Sequence, residues 1–183
     1  TSMGSTFAPS LAGLYVFHLE KNYILCPTNA FLDHIRTWTR YSDDVFVISH
    51  GSETLAHEFL VWLNQQNDFL RFTQVISHDC LVFLDLNIYI SGNRLRMTTH
   101  TKTTARNCLL RFDSFHPRHL RENLPYGQFL RLTRNCSNTQ DFELQADSLT
   151  EKLIARQYPL KIVRKARMRA HNNNREALLE SVV

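Results

Sequence analysis

The sequence predicts an α+β chain, with short antiparallel strands up to about residue 110 and helices after it. Three observations predict it. Residues 36–41 alternate and the apolar β-run 45–48 follows Ser42-Asp43-Asp44, the pattern of a β-hairpin with acids at its tip. Residues 80–99 form a second run of β-type sequence, turned by Ser91-Gly92-Asn93. From residue 115 the apolar spacing changes to three and four, the helical period.

The elements follow in chain order. Small residues Gly4 and Ser5 precede Pro9, and Phe7, Leu11, Leu14, Tyr15 and His18 then recur on one helical face, which is expected to point inward. After the hairpin, Ser52 is a candidate N-cap for a helix burying Leu55, Ala56, Phe59, Leu60 and Leu63. Residues 69–76 and 80–90 each read as one strand, and 94–99 as another. Pro117 and Pro125 each suit the first turn of a helix. Ser137-Asn138 breaks the pattern before a helix over about 139–156, and Tyr158-Pro159 opens another over 159–170. Residues 171–183 read as a polar tail in which Ala177-Leu178-Leu179 suggests a short helical turn. The organisation expected is therefore 1–112, 113–170 and 171–183.

With 183 residues but five Gly and five Pro, the chain is neither linker-rich nor collagen-like. No apolar run is long enough to span a bilayer, and TSMGSTFAPS lacks the basic start and apolar middle of a signal peptide. An intracellular protein, nuclear or cytoplasmic, is expected, with no membrane partner. The four scattered cysteines suit reduced thiols in such a compartment. Residues 1–100 carry 6 Lys and Arg against 9 Asp and Glu, whereas residues 101–183 carry 15 against 8, so the basic character lies in the second half. A polyanion, nucleic acid before membrane, fits that half; a solvated basic face is the alternative.

Adjacent Asp43 and Asp44 are the sharpest chemical feature. Two neighbouring carboxylates cannot both enter a core, and at a hairpin tip they offer hard oxygen ligands suited to Mg²⁺; a turn chosen for its Asp propensity is the plain alternative. Cys108, His116, His119 and Cys136 follow no standard zinc spacing. Trp38 and Trp62 occupy apolar positions of a strand and a helix, where core packing is expected. Lys161, Arg164, Lys165, Arg167 and Arg169 crowd five cations into nine residues, leaving Ile162, Val163 and Ala166 to pack. Phosphate contact and a solvated face are both open to this group.

Taken in order, Gly4-Ser5-x-x-x-Pro9, Tyr41-Ser42-Asp43-Asp44, Phe72-Thr73, Phe83-Leu84-Asp85, Lys102-Thr103-Thr104 with Asn107, His116-Pro117, Gln128-Phe129-Leu130-Arg131-Leu132 with Arg134, Cys136-Ser137 and Arg156-Gln157-Tyr158-Pro159 form a series. It resembles the reverse transcriptase of Penelope-like retroelements over nearly the whole chain. The resemblance implies the C-terminal part of a polymerase palm, an antiparallel sheet with packed helices, followed by an all-helical thumb or helix-turn-helix domain. It implies that Asp43 and Asp44 are catalytic metal ligands for two Mg²⁺ ions. Gly4, Ser5 and Tyr41 would lie at the nucleotide and template, residues 81–99 would form the primer grip, and Arg131, Arg134, Lys161, Arg164 and Lys165 would meet the nucleic-acid backbone. The partners implied are an RNA template, a DNA primer or product, and the N-terminal palm and fingers of the same protein. Those parts would bring the further metal-binding Asp, so this chain alone is expected to be inactive. A non-catalytic nucleic-acid-binding module on a decayed palm scaffold, and an unrelated Mg²⁺ phosphohydrolase using Asp43 and Asp44, are the other readings.

Overall fold

The computed structural model describes residues 6–102 and 104–180; Gly4, Ser5 and Thr103 lie outside them. The fold is α+β, with two small antiparallel sheets and six α-helices among the described residues. The chain divides into two compact units, Thr1–Ser77 and His78–Val183. The three-stranded sheet thus groups with the helices, whereas the sequence suggested a boundary at residue 112.

In the first unit, helix α1 (Ala8–Leu19) carries Pro9 in its first turn and runs into a π-helical turn, Glu20–Ile24. A 3-10 turn, Leu32–His34, leads into β1 (Ile35–Tyr41), which pairs antiparallel with β2 (Asp44–Ser49). Helix α2 (Glu53–Gln65) follows, and the Ser52 hydroxyl accepts the Leu55 N–H at 3.2 Å as its cap. Leu19, Ile24 and Leu63 form the buried centre, against which Trp38, Phe59 and Trp62 pack. Both tryptophans therefore belong to the core, as expected.

The apolar face expected on α1 is not inward. Leu11, Leu14 and Tyr15 are exposed, Leu14 by 65%, and burial begins only at Leu19. APSLAGLYVFHL is apolar on every side, so its periodicity does not single out a buried face. Glu20 lies in the core, 7% exposed, because Trp38 Nε1 (2.9 Å) and Arg40 Nε (2.7 Å) both donate to its Oε1. These bonds offset the cost of burying a carboxylate.

Residues 69–76 are not a strand. Asn67 Oδ1 accepts the N–H groups of Phe69 (2.7 Å) and Leu70 (3.0 Å), and the Asn64 amide bonds both the N–H (2.8 Å) and C=O (3.0 Å) of Phe72. Four of the backbone groups a ladder would use are thus taken by two asparagines at the end of α2.

The second unit opens with a meander of β3 (Cys80–Phe83), β4 (Leu86–Ser91) and β5 (Arg94–Thr99). The single strand expected over 80–90 is broken at Leu84, which takes φ +54°, while Gly92 turns the second hairpin at φ +62°. Helices α3 (Arg118–Asn135), α4 (Thr139–Ile154), α5 (Leu160–His171) and α6 (Arg175–Glu180) complete it. Pro125 does not start a helix; it sits inside α3, buried. Pro117 precedes the helix as its N-cap. Asn138 caps α4, its Oδ1 accepting the Asp141 N–H at 2.7 Å. Phe129, Phe142, Leu153, Tyr158 and Val163 are central to one buried cluster. The sheet is tied to the helices where the Ser137 N–H donates to the Met97 carbonyl (2.9 Å) and the Met97 N–H to Ser137 Oγ (2.8 Å).

Candidate nucleic-acid interface

In the first unit, β1–β2 pairing sets Tyr41 opposite Asp44 and leaves Ser42 and Asp43 as the turn, with Ser42 at φ +57°. Arg40 Nη1 donates to the Ser42 carbonyl at 3.0 Å while its other nitrogens hold Glu20, so the turn is tethered to a buried carboxylate. Tyr41 is 66% exposed, and Asp43 and Asp44 are exposed beside it. Among the described residues, no group of three His, Cys, Asp or Glu side chains is placed to hold a metal ion. The pair thus fits the one-or-two-carboxylate share of a Mg²⁺ shell that substrate phosphates would complete, and no more. The zinc candidates are dispersed in the same way: Cys136 is buried, Cys108 exposed, and His116 lies 3.2 Å from Ser114 Oγ.

In the second unit, α4 and α5 are joined by residues 155–159. Gln157 takes φ +67°, and the Tyr158 N–H returns to the Leu153 carbonyl at 3.2 Å. Pro159, at φ −59°, then sets the entry to α5. The Tyr158 ring is buried against Phe112, centroids 5.3 Å apart. Burial pushes the Tyr158 phenol above its ordinary pKa, and nearby Arg121 opposes it.

Helix α5 divides cleanly by face. Val163, Ala166 and Ala170 are buried, and the Thr133 hydroxyl lies 3.2 Å from the Ala170 carbonyl. On one flank Arg167 donates to Asp147 (2.6 Å) and to Glu143. Partial burial works to lower the Arg167 pKa, but these carboxylates outweigh it and hold it above the ordinary value. On the other flank the Arg169 guanidinium lies 4.0 Å over the Tyr126 ring. The outer face carries Lys161, Arg164 and Lys165, exposed at spacings of three and four, with no ion pair or hydrogen bond among the described residues. Like charges so spaced repel one another.

Several of the other cations have partners. Arg131 pairs with Asp85, and Arg118 with Glu122 at 2.7 Å. Arg134 is half-buried, with its Nε buried and unpartnered and its carbonyl accepting from Arg175 Nε at 3.0 Å. The structure thus brings Lys161, Arg164 and Lys165 together on one face, pairs Arg131 with Asp85 and leaves Arg134 half-buried away from that face. Arg121, which its charge alone would assign to phosphate, instead donates to the carbonyls of Phe112 (2.5 Å) and His116 (3.0 Å), and sequence reasoning missed Phe115 between them. No local signal marks an arginine that binds carbonyls.

Residues 108–168, which contain α3, α4 and most of α5, match the animal helix-turn-helix domain. No curated protein and no solved structure matches the chain.

Proposed function

We propose that residues 78–183 bind nucleic acid through the outer face of α5, within a protein of the reverse transcriptase type. The observation that carries this reading is the set of three unpaired cations, Lys161, Arg164 and Lys165, on the helix that follows the turn of a helix-turn-helix match. In that architecture the second helix enters the major groove. Three repelling charges with no internal partner are relieved by phosphates, and phosphate contacts hold a duplex without reading its sequence. The polymerase part of the proposal rests on the Tyr41-Ser42-Asp43-Asp44 hairpin and the ordered motif series. Asp43 and Asp44 would supply two carboxylates toward Mg²⁺, with a further acid, the fingers, an RNA template and a DNA primer coming from beyond this chain.

Fluorescence anisotropy of the full chain with a labelled DNA duplex across a salt series tests the binding. If three cations meet phosphates, log affinity falls against log salt with a slope of about −3. Replacing Lys161, Arg164 and Lys165 together with Ala should bring that slope close to zero. A salt-insensitive affinity, or a triple variant that binds like the wild type, would make this face merely solvated.

A further inference from the structure

Phe115 is fully exposed, at 109% of its reference surface. A large aromatic on a floppy loop would mean little, but this loop is fixed from several sides. The Ser114 hydroxyl donates to the Arg111 carbonyl at 2.7 Å, Arg111 grips Asp113 at 2.7 Å, and the single guanidinium of Arg121 takes the carbonyls of Phe112 and His116. The same guanidinium lies over the Phe112 ring, 5.4 Å from its centroid. Phe112 in turn contacts Tyr158, and its N–H donates to the Arg156 carbonyl at 3.0 Å. The loop is therefore anchored on the α4–α5 turn, at the end of α5 that carries Lys161 in its first turn.

We propose that Phe115 stacks on an unpaired nucleobase, so that α5 holds duplex phosphates while the loop captures a base at a duplex end or single-stranded junction. This inference rests on the nucleic-acid reading above. A loop backbone already held in place spares a stacking ring the cost of ordering it, and stacking tolerates any base because every base has a π-face. The surroundings favour a base over an apolar protein pocket. In the chain Phe115 is flanked by Asp113, Ser114, His116 and Arg118, and Leu120 is the other exposed large apolar side chain of residues 111–121. Protein-binding hot spots instead gather several apolar anchors within a rim. The carboxylates of Asp113 and Glu122 are neutralised by Arg111 and Arg118, so the approach is not closed to phosphates.

The test compares the full chain on a blunt DNA duplex and on the same duplex with a single-stranded overhang, by anisotropy at low salt. The wild type should prefer the overhang by about tenfold, within the range of one base stacked on an aromatic ring. Phe115→Ala and Phe115→Leu should bind both duplexes with the blunt-duplex affinity, and Phe115→Trp should keep the preference. Circular dichroism should be unchanged in all three, since the side chain touches no core. Equal wild-type binding to both duplexes overturns the inference while leaving the nucleic-acid reading intact. A Leu variant that keeps the preference also overturns it, because Leu is apolar without a π-face. No binding to either duplex sinks both readings.

Discussion

Gln157 and Leu84 hold left-handed backbone conformations, φ +67° and +54°, that cost a side chain with a Cβ about 1–2 kcal/mol. Gln157 joins the two helices of the proposed interface, so relief of its strain can be read without touching the cations. Gln157→Gly should stabilise the second unit, by up to about 1 kcal/mol once the greater freedom of glycine in the unfolded chain is subtracted. Urea unfolding should show a higher midpoint at unchanged slope. A lower midpoint would mean that the Gln side chain contributes more than its backbone costs. Neither position was legible in the sequence, because Gln and Leu carry no turn signal. Ser52, Asn138 and Gly92 were legible, since capping oxygens and a Cβ-free turn residue announce their roles by type. Asp43 and Asp44 were equally visible at their turn, whereas the engagement of Arg131 and Arg167 with acids distant in sequence was not.

Between elements, side chains decided what the backbone pattern left ambiguous. The run 69–76 has strand-like composition, yet Phe69 is 87% exposed and the neighbouring N–H groups bind Asn67; a single sequence does not reveal that two asparagines will outcompete a ladder. Pro125 suits the first turn of a helix by residue type, yet it lies inside α3, where its burial offsets the hydrogen bond an interior proline loses. A second link between sheet and helices, beside Met97 and Ser137, is Tyr89, whose hydroxyl donates to Asp141 Oδ2 at 2.5 Å and accepts from Asn138 Nδ2 at 3.1 Å. The hydrogen bond to Asp141, helped by desolvation, raises the Tyr89 pKa above its ordinary 10.0. The folded state therefore holds this proton more tightly than the unfolded chain. Its contribution to stability is complete below that ordinary value and is lost as pH rises above it toward the folded pKa. Measured over about one pH unit above that value, the urea midpoint of the wild type should fall more steeply than that of Tyr89→Phe, by at most about 1.4 kcal/mol in stability. Parallel curves for the two proteins would show that the contact does not couple to titration.

At the scale of the whole molecule, the acids and the basic helix belong to different compact units, each with its own buried cluster. The catalytic expectation can therefore be tested apart from binding. In the proposed reading a two-metal site needs a further acid beside Asp43 and Asp44 that this chain does not supply, so the full chain with Mg²⁺ or Mn²⁺ should incorporate no nucleotide on a primed template. Incorporation that Asp43→Asn abolishes would show that the necessary ligands are already on this chain. The second unit adds a consequence of its own. Helix α4 carries Asp141, Glu143, Asp147 and Glu151 against the single Lys152, while its neighbour α5 carries five Lys and Arg and no acid. The two helices thus form a permanent electric doublet. A polyanion approaching within about 10 Å in ordinary salt, the screening distance, exerts a torque on that doublet before any atom touches. The domain would turn α5-first during diffusion and shorten its rotational search, so orientation would be chosen in flight rather than on contact.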